Sequence, residues 1–175
     1  TEMMHELTPE ELKRRGEIIG LGALKFMLLK FNPKTTIMFD PAASLRFEGD
    51  TGPYVQYVAA RINSIRRKAA ERGIDFNPEA VDWSLLGHAS EKLLAVTASF
   101  YPAVLHLAAE RKDCSGLVEY LLNLGKAFNS FYRECPVLAA ETPELAAARL
   151  ALSGAVREII VDGLSTLTIQ VPEAM

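Results

Sequence analysis

Three times this chain sets a threonine just ahead of a proline: Thr8-Pro9, Thr51-Gly52-Pro53 and Thr142-Pro143. The threonine oxygen can accept a bond from a first-turn amide, and proline at the first helical position lacks only an N–H that has no partner there. Glu11 completes a capping box with Thr8. Each start opens a run with apolar residues at helical period. The first helix is expected to reach about Lys30, where Asn32-Pro33 stops it. The second reaches Gly73, a glycine suited to the left-handed cap. The last runs from Thr142 to about Leu167. Further helices are expected over 83–98, 101–112 and 115–134, with loops at 74–82 and 136–141 and a tail at 169–175. Residues 35–39 are β-branched and apolar and read as a short extended piece, ended by Asp40-Pro41. The fold class is therefore all-α: a bundle of about five helices from Pro53 onward, preceded by a helix and a short extended segment.

The chain's 175 residues suit one domain, or one domain with a short neighbouring piece attached. Its opening on Thr1 rather than Met fits a piece excised from something longer. The net charge of −3 gives no bulk attraction for nucleic acid, so any such contact has to come from a local patch. Cys114 and Cys135 follow no metal or redox spacing and read as reduced thiols. The longest apolar stretch, 18–29, is interrupted by Gly20, Gly22 and Lys25 and is too short to cross a bilayer. A cytoplasmic protein without a membrane partner is the expectation. His5, His88 and His106 are scattered, and neither a P-loop nor a zinc motif occurs. Gly20-Leu21-Gly22-Ala23 lies inside a helical pattern with no strand before it, so it reads as close helix packing. No catalytic residue and no metal ligand is assigned.

The informative stretch is 49–72. At about 100° per residue, Tyr54, Tyr57, Arg61, Ser64, Lys68 and Arg72 share one sector of a helix. Val55, Val58, Ala59, Ile62, Ile65 and Ala69 fill the neighbouring sector as a buried stripe. From Arg61 to Arg72 there are five positive charges and one negative, Glu71. Phenol rings stack on unpaired bases, and Arg and Lys hold phosphates, so an aromatic-then-basic face suits single-stranded RNA. The same pattern also describes half-buried packing tyrosines beside a solvated basic face, and the spacing alone leaves both readings open.

The string Phe47-Glu48-Gly49-Asp50-Thr51-Gly52-Pro53-Tyr54-Val55-Gln56-Tyr57, followed by Arg61, closely resembles the class I arginyl-tRNA synthetase signature at the junction of catalytic core and anticodon-binding bundle. Upstream, Gly20-Leu21-Gly22-Ala23-Leu24-Lys25-Phe26 is similar to the family's helix after its catalytic loop. Downstream, Ala127-Phe128-Asn129-Ser130-Phe131-Tyr132 with Cys135-Pro136-Val137-Leu138 is similar to its fifth-helix region. Ala148-Arg149-Leu150-Ala151-Leu152 resembles the helix that names the DALR domain, and Gly163-Leu164 through Met175 resembles the family's terminus. The resemblance implies that residues 1–50 are a trailing segment of the catalytic domain and 51–175 a helical anticodon-binding (DALR) domain. It implies a parent that attaches arginine to tRNA(Arg) with ATP and magnesium, acts as a monomer and carries its catalytic domain in the same chain. It implies RNA contact through Tyr54, Tyr57, Arg61, Lys68, Tyr132 and Met175, with the junction loop Gly49, Asp50, Thr51, Gly52 and Pro53 shaping it.

Two departures qualify the resemblance. Ala174 stands where the family has a penultimate arginine, which removes a cation beside Met175. The family's HIGH and KMSKS-type motifs are missing from this sequence, so the piece itself is expected to hold no cofactor and to be inactive alone. Arg149 reads as a structural ion-pairing residue, Trp83 as a bundle anchor, and Phe128 and Phe131 as core. Arg66 falls on the apolar sector and is expected to snorkel out of it. The alternative function is a helical protein-interaction module without RNA binding, docking through 18–29. A free-standing enzyme ranks last, because no nucleophile–base pair can be assembled.

Overall fold

The computed structural model describes residues 8–38, 40–74 and 81–175. His5, Phe39 and most of the expected 74–82 loop lie outside the described residues. Helix α1, Pro9–Leu29, begins on the capping box read from the sequence: the Glu11 amide donates to Thr8 Oγ1 and the Thr8 amide to Glu11 Oε2, both at 3.2 Å. Helix α3, Gly52–Glu71, starts on Thr51, which accepts from the Tyr54 amide at 3.2 Å. Helix α7, Pro143–Thr166, starts on Thr142, which accepts from Leu145 at 3.2 Å. Among the described residues there is no strand.

Two expectations need correction. Residues 36–38 take no regular secondary structure, and Asp40-Pro41 opens an element instead of closing one. Asp40 caps the single turn α2, Pro41–Ser44, by accepting from the Ala43 amide at 3.1 Å. A capping Asp before Pro is as good a start as a stop, and only the following residues decide. The helix expected over 83–98 is also split. Asp82 caps a 3-10 turn, Trp83–Leu85, and the chain breaks at Leu86-Gly87. Helix α4, Ala89–Ser99, then starts on His88: the Ser90 amide donates to His88 Nδ1 at 3.2 Å, and Glu91 Oε2 accepts the His88 amide at 2.8 Å. The imidazole takes the role usually given to a hydroxyl or carboxylate.

Helix α5, Tyr101–Arg111, follows α4 after Phe100 alone, which keeps a right-handed helical backbone. By length and apolar composition alone, Ala89–Arg111 could cross a membrane. Pro102 interrupts it, because its missing N–H leaves the Ala98 carbonyl without the helical amide. The Tyr120 hydroxyl donates to that carbonyl at 3.2 Å, and burial pushes the Tyr120 phenol up to about 12, so its proton stays in place. Tyr120 also stacks on Tyr101, and α4 turns Leu94 into the core.

Helix α6, Ser115–Glu134, is the central element, with Leu117, Leu121, Leu124, Phe128 and Phe131 fully buried against α3, α4, α5 and α7. The stripe read on α3 is buried throughout. Gln56 and Ala60 are buried too, because α1 and the tail cover a second side of α3. A Cβ on Gly52 would sit 2.8 Å from Phe26 Cβ and 2.9 Å from the Gly22 carbonyl oxygen, and one on Gly22 would sit 2.6 Å from Gln56 Nε2. The two glycines let α1 and α3 touch backbone to backbone. Gly20, with open space around it, plays no part in that contact.

One buried ion pair ties the bundle's far end. Arg149 Nε donates to Glu91 Oε1 at 2.7 Å, and its Nη1 donates to the Pro136 carbonyl at 2.9 Å. Both side chains are almost wholly out of solvent. The arginine of the Ala148–Leu152 string is thus a clamp among α7, the start of α4 and the loop after α6.

Candidate nucleic-acid interface

The close approach of α3 and α6 sets the geometry of the site. Gly125 lets the helices meet: a Cβ there would lie 3.2 Å from the Tyr54 ring and 3.5 Å from Val58. One turn further along α6 the helices present facing side chains rather than backbone. Tyr54, Tyr57 and Arg61 come from α3, and Asn129 and Tyr132 from α6.

These five form one connected group. Asn129 Nδ2 donates to the Tyr54 hydroxyl at 2.8 Å, and Asn129 Oδ1 accepts from Arg61 Nη1 at 3.0 Å. Arg61 Nη2 donates to the Tyr57 hydroxyl at 2.8 Å. The guanidinium carbon lies 4.6 Å from the Tyr57 ring centroid and 5.5 Å from that of Tyr132. Tyr132 stacks on the buried Phe128, with centroids 6.1 Å apart and planes 16° from parallel. It remains 41% exposed, the most open ring of the group. Burial raises the Tyr54 phenol above its ordinary value, so it stays neutral and accepts from Asn129 while keeping its own proton to donate. The arrangement offers what an unpaired base uses: π faces, a fixed cation and phenol O–H donors.

The junction loop is pinned beside this group. Gly49 has a φ of 81°, a conformation that suits glycine. Asp50 meets Lys126 of α6 at 2.8 Å and Lys30 at 3.5 Å. The Lys126 contact is the main reason the Asp50 carboxyl is held below its ordinary value and the Lys126 amine above its own. Thr51 donates to the Arg46 carbonyl at 2.6 Å. Pro53 is buried at the helix start.

The remaining cations and the tail are placed differently. Lys68 is exposed on the same face as Arg61, seven residues or about 10 Å further along the axis. Arg72 donates to the Leu138 carbonyl at 3.3 Å, and Arg66 is exposed and 3.9 Å from Glu158. The basic run is thus partly committed to holding the fold. The backbone that carries Met175 is fixed by Gln56, which donates to the Gln170 carbonyl at 2.7 Å, and by Asn63, which donates to that of Glu173 at 3.1 Å. Gln56 and Asn63 lie on the opposite side of α3 from Tyr54 and Arg61, so the tail is held along that flank as far as Glu173, two residues before Met175. Among the described residues no three imidazole, thiol or carboxylate groups converge as a metal requires.

Residues 55–175 match the family model of the DALR anticodon binding domain. The chain belongs to that family. An arginine–tRNA ligase of Parabacteroides distasonis is 38% identical over 172 residues, 98% of this chain and 29% of that protein. One of Treponema denticola is 40% identical over 161 residues, 91% of this chain and 27% of that protein. The Thermus thermophilus arginyl-tRNA synthetase superposes with a TM-score of 0.86 at 35% identity, over 99% of this chain and 29% of its own. That of Plasmodium falciparum, with a TM-score of 0.81 at 24% identity, shares the fold. The chain spans under a third of the length of these relatives.

Within this DALR domain, sequence reasoning singles out four of the five grouped residues and misses Asn129. That residue lies inside the 127–132 string, three residues before Tyr132, but its two partners are 75 and 68 positions away, and no local pattern points to them.

Proposed function

We propose that this chain is the anticodon-region binding part of an arginine–tRNA ligase, and that its partner is tRNA(Arg). The observation that carries the reading is the aromatic–cation group of Tyr57, Arg61 and Tyr132, open to solvent on a domain of the DALR anticodon-binding family. Unpaired loop bases stack on the exposed Tyr132 ring, Arg61 and Lys68 neutralise phosphates, and the Tyr54 and Tyr57 hydroxyls donate to base edges. The junction loop, locked by Asp50, fixes how α3 meets α6. Residues 1–50 belong to the end of a catalytic domain in the same chain. That domain, in a monomeric and cytoplasmic whole protein, uses ATP with magnesium; the piece alone does not activate arginine.

A second reading has its own support. Leu21, Leu24, Leu28 and Phe31 are all exposed and fall on one face of α1 and its end, an apolar strip that suits docking. In the first reading this strip meets the catalytic domain; in the second it meets another protein, and RNA plays no role. Fluorescence anisotropy with a labelled anticodon stem-loop separates them. The ligase reading expects salt-sensitive binding that Tyr132→Ala weakens. Absence of binding at low salt by the folded monomer favours the interaction module.

A further inference from the structure

Helix α3 grips the tail on the flank away from its tyrosines. Gln56, fully buried, donates from Nε2 to the Gln170 carbonyl at 2.7 Å. Asn63, about two turns further along α3, donates from Nδ2 to the Glu173 carbonyl at 3.1 Å. The helix rises about 10.5 Å from Gln56 to Asn63. An extended chain spans about 10 Å over three residues, the step from Gln170 to Glu173. The intervals match, so the tail runs beside α3 in the same direction and in one register. A slip of one residue would shift each carbonyl by about 3.3 Å and break both bonds. The start of this strap is fixed as well. Thr168, with a φ of 58°, turns the chain out of α7, and Lys25 of α1 donates to its carbonyl at 2.6 Å. Ile169 and Pro172 are buried between these holds. The Asn63 amide is also oriented: Arg157 of α7 donates to its Oδ1, which leaves Nδ2 for the tail.

We infer that Asn63 is a positioning residue: it sets where the two residues beyond Glu173 stand, and RNA binding depends on it through Met175, without contact to Asn63 itself. The inference rests on the RNA-binding reading above, with Met175 as one of its contacts. Among the described residues Asn63 is the last side-chain hold on the tail before Met175. Two residues beyond a held carbonyl reach at most about 7 Å, so the bond confines Met175 to the neighbourhood of the α3 flank. Without it the nearest hold is at Gln170, and five free residues reach roughly 17 Å. Ordering that longer segment when RNA arrives costs conformational entropy that the held tail does not lose.

Nuclear magnetic resonance of the full 175-residue chain, isotope-labelled at its methionine methyls, tests the hold first. In the free protein the Met175 methyl signal is expected away from its unfolded-chain position. Asn63→Ala moves it to that position. Asn63→Asp does the same, because aspartate keeps the acceptor toward Arg157 and loses the donor toward Glu173. Fluorescence anisotropy with a tRNA(Arg) anticodon stem-loop then gives a double-mutant cycle. Asn63→Ala and Met175→Ala are each expected to weaken binding roughly two- to tenfold. The double variant is expected to bind no worse than the weaker of the two. A Met175 methyl that stays in place in Asn63→Ala overturns the hold. Losses that multiply in the double variant overturn action through Met175. Unchanged affinity in Met175→Ala overturns the inference and leaves RNA binding standing. No binding of the stem-loop by the wild-type chain overturns both the inference and the reading beneath it.

Discussion

Tyr132 and Arg149 mark two uses of a side chain in this domain. Tyr132 stacks on Phe128 through one part of its surface and leaves 41% of it to solvent, so the fold depends little on it. Tyr132→Ala is therefore expected to weaken stem-loop binding by the worth of one base–ring stack, about 1–3 kcal/mol or roughly five- to 150-fold in Kd, with an almost unchanged melting temperature. Arg149 is the reverse case. Removing it leaves the Glu91 carboxylate buried without its cation. Arg149→Ala should cost about 3–5 kcal/mol of stability, read as a lower urea midpoint, with the RNA affinity of the folded fraction unaffected. The tyrosine face is legible in the sequence because helical period alone brings Tyr54, Tyr57 and Arg61 together. Asn129 and the diverted cation Arg72 are not, because what they touch sits on other segments. Arg149 reads as an ion-pairing residue from sequence, but its partner emerges only when α4 packs on α7.

Helix starts are legible wherever a capping side chain and a proline coincide, since both act locally. The same local logic misplaces Asp40-Pro41 and runs a helix through Leu86-Gly87, where the imidazole cap of His88 has no sequence signal. Close approaches between elements are readable only in part: the Gly20–Ala23 string reads as helix packing, and of its two glycines the structure assigns that role to Gly22 alone. This gives a paired prediction. Gly52→Ala drives a Cβ into Phe26 and the Gly22 carbonyl and should destabilise by about 1–3 kcal/mol. Gly20→Ala meets nothing and should stabilise α1 by about 0.5–1 kcal/mol. Urea unfolding of the two variants checks the contrast in sign. The junction loop carries a pH signature. The Asp50 carboxyl is depressed below its ordinary 3.8 in the folded state, chiefly by Lys126. Its contribution is complete above that value and is lost as pH falls through the lower folded one. Wild type should thus lose its margin over Asp50→Asn only in strong acid. The margin should be small, because the pair is exposed.

The whole molecule combines a bundle that buries its core with two outward surfaces, the aromatic group between α3 and α6 and the apolar strip on α1. They lie on different elements, so they can be separated by substitution. Leu24→Glu with Leu28→Glu should suppress any self-association seen by sedimentation while leaving stem-loop binding in place. Bulk charge does not favour RNA, so affinity rests on a few local cations and should fall with salt along a shallow slope. If this domain reads an anticodon loop as proposed, it does more than attract polyanions. The most direct measurement compares its affinity for the tRNA(Arg) anticodon stem-loop with that for the same stem-loop carrying a changed anticodon, at low salt. Clear preference for the matched loop is expected, lost in Tyr132→Ala. Equal affinity for both loops, unaffected by Tyr132→Ala, would contradict it.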